Sequence, residues 1–464
     1  MSLLLLIPDG VGVRNFLRED FLRRAVRTGP VDVLHPIPSA VTDRYPALAL
    51  AGVRAHELRE GPGPRLAALL RASLAYAQMY WADTQSMRFA RRVPVRGGLR
   101  ARALYGAARV IGAGAAWPGG LRALDRWHCA AAAAAPEVAH YQRLLETLRP
   151  RVLFCSHQRP VGIVPPVLAA RTLGIPTATF IFSWDNLTSK GRIAAPFDHY
   201  LVWSEHMRGE LLRYYPDVRP AQVHVVGTPQ FDPYVDDTLL WSREEFCARI
   251  GADPARPLVC YSGGDAGTTP EDAAHVAALL EQIRAGRVRG RPQVLLRPSP
   301  VDPGARFDEV RARYPELLYA RPQWLHTQPG NWARVLPLPE DTVFLANLTR
   351  HADVNVNLAS TMTIDFALRD KPVVNVAFDV ADPPPFPRPL WEYYYRFEHY
   401  RPVVELGAAR FAHTPDELGA YVDAYLRDPS LDRDARRRLV ELEVGAPVGT
   451  AGTRILEALG RIAA

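Results

Sequence analysis

Short apolar runs, each cut off by a small or polar residue and followed by a helical stretch, return along this chain in two rounds. That rhythm constrains the fold more than any other feature, because a run that is apolar throughout marks a strand buried on both faces, as in a parallel sheet. In the first round Leu3–Ile7, Val31–Leu34, Arg151–Cys155, Thr177–Phe182, Tyr200–Trp203 and Val223–Val226 read as strands. Helices are expected over Val13–Thr28, Pro165–Leu173 and Glu205–Tyr214. In the second round the strands Leu258–Ser262, Gln293–Arg297, Leu317–Ala320, Val354–Asn357 and Pro372–Val376 alternate with helices over Pro270–Ala285, Asp308–Tyr314 and Thr361–Leu368.

Two α/β rounds predict two Rossmann-like, doubly wound domains, 1–230 and 231–440, with C-terminal helices over 441–464. The 464 residues are also too many for one hydrophobic core. Between about 62 and 148 no strand pattern appears, whereas Leu66–Ser73, Ala101–Ile111 and Glu137–Leu148 have helical spacing, so the first domain is expected to carry a helical insertion. The proline-dense stretch Asp382–Pro389 reads as an extended loop, since proline continues neither a helix nor a sheet ladder. Trp324, Trp332, Trp391 and Tyr393–Tyr395 read mainly as core packing.

Composition narrows the function classes. The opening apolar run meets Pro8 and Asp9 too soon for a signal peptide or a membrane span, which leads us to expect a cytoplasmic protein. Four scattered cysteines form no C-x-x-C, and His351 and His399 lack partners at metal-ligand spacing, so neither disulfides nor a metal is expected. The net charge of +7 is carried almost wholly by arginine, Lys190 and Lys371 being the only lysines. Guanidinium forks suit phosphate or anionic lipid, and without a basic block nucleic acid is not an expected partner, whereas peripheral membrane contact is.

In open parallel sheets, ligands bind at the carboxyl ends of the strands. In the second half these ends carry Gly263-Gly264, Arg297-Pro298 and the turn before Ser360-Thr361. Ser360 and Thr361 open a helix, where free amides and the dipole can hold a phosphate, and Asp365, one turn further, can accept hydrogen bonds from ribose hydroxyls. On these residues alone the simpler account is an ordinary helix start, with Ser360 as the N-cap and Asp365 favouring the first turns. Gly263 and Gly264 permit close backbone approach to a phosphate, although the loop is neither G-x-G-x-x-G nor a P-loop, which disfavours NAD and ATP chemistry.

The segment Ala352-Asp353, a strand, Ser360-Thr361, Asp365 and Lys371-Pro372 resembles the donor half of GT-B glycosyltransferases, most closely the CDP-glycerol glycerophosphotransferase and capsule-type group. The resemblance implies nucleotide phosphate and ribose binding for Ser360, Thr361 and Asp365. It extends to Val225–Pro229 with Asp232 and to Arg297-Pro298, and is thin before residue 150. That family tends to place histidine after the strand equivalent to Gln293–Arg297; Arg-Pro-Ser-Pro stands here, which favours a sugar donor over glycerophosphate. Arg297 either neutralises a departing diphosphate or merely caps its strand.

In the first half, His157 is a candidate general base for an acceptor hydroxyl, with Asp185 and Asp9 competing for the role. Trp184, Asn186 and Lys190 lie in the same polar run as Asp185 and are candidate acceptor or phosphate contacts. The expectation is therefore a glycosyltransferase without cofactor or metal, taking a nucleotide-sugar donor in its second domain and a glycan or lipid-linked acceptor in its first. A glycerophosphotransferase, a nucleotide-sugar 2-epimerase and an inactive binding protein of the same fold are the alternatives.

Overall fold

The computed structural model describes residues 1–95, 97–328, 334–380 and 390–464. It divides into two compact units, one of Met1–Asp232, Leu325–Pro339 and Glu443–Ala464, the other of Pro233–Trp324 and Glu340–Leu442. The proline-dense Asp382–Pro389 stretch and Trp332 lie outside the described residues.

The first unit is built on seven parallel strands, β1 (Leu3–Leu6), β2 (Val31–His35), β3 (Val53–Glu57), β4 (Val152–Cys155), β5 (Thr177–Phe180), β6 (His199–Val202) and β7 (Val223–Val225). Their order is β3-β2-β1-β4-β5-β6-β7, with Leu6 in register with both Leu34 and Cys155. The order reverses between β1 and β4, which opens a crevice beyond their carboxyl ends. Central strands are buried throughout. Phe16 packs edge-on against Phe154 and Phe180 at 5.2 and 5.5 Å, locking the first helix onto β4 and β5.

The single helix expected over Val13–Thr28 is two helices, Gly10–Phe16 and Glu19–Val26. Arg18 is extended and breaks them, its guanidinium held by Asp20 and by the carbonyl of Pro229. The span 62–148 holds the helices Arg65–Ala82, Gln85–Arg92, Leu99–Gly114, Pro118–Ala133 and Pro136–Leu148. The C-terminal helix Ala451–Ile462 belongs to this unit too, because the Asp232 carboxylate accepts from the amides of Gly449, Ala451 and Gly452 at its start.

The second sheet comprises β8 (Leu258–Ser262), β9 (Gln293–Arg297), β10 (Leu318–Tyr319), β13 (Val354–Asn357), β14 (Val373–Val376) and β15 (Arg410–Ala412), in the order β10-β9-β8-β13-β14-β15 and parallel throughout. Its reversal falls between β8 and β13. Between β10 and β13 the chain forms a two-stranded ribbon of β11 (Trp324–His326) and β12 (Val335–Pro337), most of which groups with the first unit. The ribbon, β3 and β15 were not expected from sequence, and neither were the helices Arg401–Leu406 and Pro415–Arg427.

Candidate active site

Each unit places its polar residues where its strand order reverses. In the first, Asp9 follows β1 and caps the helix Gly10–Phe16, accepting from the Gly12 amide at 3.1 Å. His157 follows β4, and its Nδ1–H donates to the second oxygen of Asp9. Both residues are buried, at 2% exposure or less. Burial alone raises the Asp9 carboxyl, but the His157 imidazole and the amides of Gly12 and Val11 outweigh it and hold the group below the usual carboxylate range. With Nδ1 committed to Asp9, the remaining lone pair of the ring is on Nε2, which is buried and has no hydrogen-bond partner among the described residues. The hydroxyl of Ser156, the preceding residue, is likewise buried and without a hydrogen-bond partner among the described residues. Phe182 seats the ring from the side, with centroids 3.9 Å apart.

The crowding here is specific. A Cβ on Gly12 would stand 2.3 Å from Ser156 Oγ, and one on Gly10 would stand 2.0 Å from the carbonyl oxygen of Val335 in β12. Only glycine lets the β1 turn fit between Ser156 and the ribbon.

The run after β5 forms a second polar group in the same unit. Gln158 Nε2 donates to Asn186 Oδ1 at 3.0 Å, and Asn186 Nδ2 donates to Asp185 Oδ1 at 3.0 Å. Asp185 also takes the Ser189 hydroxyl at 2.8 Å and sits 3.6 Å from Lys190 Nζ. Asp185 is thus engaged in fixing its own loop, and Trp184 is buried in it. Helices of the insertion hold this loop: Thr84 and Ser86 hydroxyls both reach the Thr188 carbonyl at 2.6 Å, and Arg71 reaches the carbonyls of Arg192 and Ile193. Arg159, two residues beyond His157, is half-buried and makes no hydrogen bond or salt bridge with the described residues. Burial lowers its pKa, against the pull of Asp185, Tyr215 and Asp9. The sequence already places Arg159 at the carboxyl end of a buried strand, beside His157, but residue type alone assigned it no role there.

In the second unit the glycine loop is closed on itself. Gly263 N donates to the Arg297 carbonyl and Gly264 N to Asp272, while Asp265 takes the amides of Gly267 and Thr268. Asp272 is fully buried and also binds Tyr261, Thr269 and Arg306. Arg297 meets both oxygens of Asp341 at 2.9 and 3.0 Å, so its charge is neutralised inside the unit. After β13, Ser360 N donates to Asn357 Oδ1 at 3.0 Å and Ser360 Oγ accepts from Met362 N at 3.3 Å, in front of the helix Met362–Ala367. Asp365 is buried and accepts from the Tyr234 hydroxyl. Thr361 Oγ1 makes no hydrogen bond with the described residues and is half-buried.

What holds this turn went unread in the sequence. A buried polar ladder runs from Ser262 through Asn355 to Asn357 and Thr363, then by the Tyr400 hydroxyl to Asn375. The asparagines of Val-Asn-Val-Asn and of Val-Val-Asn-Val, at inward positions of buried strands, were its visible trace. A small pocket at this edge is lined by Thr268, Thr269, Glu271, His275, Asp379 and Trp391. His275 gives Nε2 to the Phe378 carbonyl at 2.9 Å and leaves Nδ1 buried without a partner. No group of side chains able to hold a metal ion occurs among the described residues.

No protein-family model matches this chain, and no curated protein sequence does. Solved structures do match its fold. UDP-GlcNAc 2-epimerase from Neisseria meningitidis, bound to UDP-GlcNAc, aligns over 99% of this chain and all of its own with a TM-score of 0.53 at 9% identity. S. aureus MnaA with UDP aligns over 99% of this chain and 96% of its own, with a TM-score of 0.52 at 10% identity. A glycosyltransferase from Rickettsia africae covers 99% and 98%, with a TM-score of 0.51 at 10% identity. The chain has the GT-B design of two parallel-sheet α/β units. The narrower resemblance to CDP-glycerol transferases gains no specific support from these likenesses.

Proposed function

We propose, taking the GT-B fold as the premise, that this protein is an enzyme acting on a nucleotide-activated sugar, with His157 as its acid–base group. The observation that carries the reading is the Asp9–His157 pair at the strand-order reversal of the first sheet, with the imidazole's Nε2 bare. A carboxylate on Nδ1 orients the ring, fixes its tautomer and stabilises the imidazolium that forms when Nε2 takes a proton. Asp9 and His157 therefore work as one unit, with Asp9 positioning the ring. Arg159 is the cation available to a phosphate or another acidic group on the substrate. In the second unit Thr361 and the Ser360 turn are assigned to the nucleotide, with Asp365 tying the helix behind the turn to Tyr234.

One bare imidazole nitrogen favours transfer: His157 removes the proton of an acceptor hydroxyl as it attacks the sugar, and the nucleoside diphosphate leaves. Epimerisation at C2 needs one group to take a proton and another to return it on the opposite face. This second reading is supported by the neighbours, since one of the three structures above is a UDP-GlcNAc 2-epimerase by name and another holds UDP, and it fits them at least as well as transfer does. Incubation with UDP-, GDP- and CDP-sugars, with and without a hydroxyl acceptor, separates the two. Acceptor-dependent release of the nucleoside diphosphate identifies transfer; a C2-inverted sugar nucleotide formed without acceptor identifies epimerisation. Neither product with any donor, together with no thermal stabilisation by any nucleotide, overturns the proposal.

A further inference from the structure

The helical insertion carries a surface of different character. Between Asp83 and Asp125 the sequence holds eight arginines and not one carboxylate. Of the chain's 56 cationic side chains, 48 then remain outside this stretch against all 49 carboxylates, so the whole net charge of +7 originates here.

The helix Leu99–Gly114 concentrates the effect. It buries only Ala108 and Gly112, with Gly112 tight against Ser73 and Tyr76 of the helix Arg65–Ala82. At 100° per residue the opposite, outward face is centred on Leu99, Ala103, Gly106 and Val110. Leu99 is 84% and Val110 74% exposed. Arg100 borders this apolar stripe on one side, and Arg102 and Arg109 border it on the other. Neither Arg100 nor Arg102 has a carboxylate partner among the described residues. Trp117, 57% exposed, stands just past the helix end.

An outward apolar stripe flanked by arginines is the layout of a helix lying in a bilayer interface, its stripe among the acyl chains and its guanidinium groups on lipid phosphates. A nucleic-acid surface would put the arginines at the centre of the face, where Leu99 and Val110 stand here. We infer that the Leu99–Gly114 helix docks this protein on the surface of an anionic membrane. No helix among the described residues is long and apolar enough to cross one. The inference stands on residues outside the candidate active site, so its failure leaves the proposed function untouched.

Co-sedimentation of the full chain with phosphatidylcholine vesicles, with and without phosphatidylglycerol, tests it. The protein should pellet with the phosphatidylglycerol vesicles and be released by salt. Val110→Asp should lower the bound fraction about tenfold, since it removes an apolar side chain from the interface and adds a like charge to the lipid's. Arg102→Ala should lower it about fivefold. Because both side chains are exposed, an unchanged melting temperature verifies that each variant folds. The inference is overturned by absence from the anionic pellet, by equal pelleting with pure phosphatidylcholine, or by wild-type binding in Val110→Asp. Dissociation of a vesicle-free dimer by Val110→Asp also overturns it, as does tighter binding of the wild-type chain to RNA than to vesicles, because a second copy or a nucleic acid would then be the occupant.

Discussion

Gly10 shows how closely one residue can be specified. It opens the helix capped by Asp9, and a methyl group there would lie 2.0 Å from the Val335 carbonyl oxygen and 3.1 Å from Pro337. Since the obstacle is backbone, the ribbon or the Asp9 turn has to move. Gly10→Ala should therefore cost about 1–3 kcal/mol of stability, read by urea denaturation, and lower activity more than that loss explains. The same scale explains why sequence offered Asp9 and His157 as competitors. They are 148 positions apart, and only the pairing of β1 with β4 brings their side chains together. Residue type pointed to both; nothing local could say that one holds the other.

At the scale of elements, the legible strands were those buried on both faces. Leu3–Leu6, Val152–Cys155, Leu258–Ser262 and Val373–Val376 read as apolar runs because nothing polar had to face water. Edge strand β3, Val-Arg-Ala-His-Glu, stayed hidden because it is largely exposed, and its arginine and histidine serve Asp32 of β2, at 2.6 and 2.8 Å. The β13 turn was read for its hydroxyls alone, while the ladder behind it depends on inward asparagines and on the distant Tyr400. Tyr400→Phe removes one hydroxyl and leaves Thr363 and Asn375 short of a partner in a fully buried place. It should destabilise the chain by about 1–3 kcal/mol in thermal or urea unfolding. If the turn holds nucleotide, affinity falls as well.

For the whole molecule, two rounds of alternation were enough to foresee two parallel-sheet units, because the strand and helix periods are local properties of the chain. The return of the chain's end to the first unit was not legible, resting as it does on Asp232 capping a helix more than two hundred residues away. That returning segment brings in Glu443, a buried carboxyl whose Oε1 lacks a hydrogen-bond partner and lies 3.9 Å from His206. Burial pushes Glu443 up to about 8, and burial also lowers His206, so neither charge supports the other near neutrality. A carboxyl raised on folding contributes fully below its unfolded pKa, near 4.5, and its contribution is lost as pH rises through the folded value. The Glu443 contribution should decline between about pH 5 and pH 8, so the stability of wild type relative to Glu443→Gln should fall over that range, which denaturation of both proteins at the two pH values would reveal.

The central claim is that His157, oriented by Asp9, performs the proton transfer on a nucleotide-activated sugar. The most direct measurement compares wild type with His157→Gln in turnover of the donor that stabilises the protein, alongside binding of that donor's nucleotide. The account predicts a loss of about 10²–10⁴-fold in kcat with nucleotide affinity nearly unchanged. A His157→Gln enzyme that turns over at the wild-type rate would contradict it.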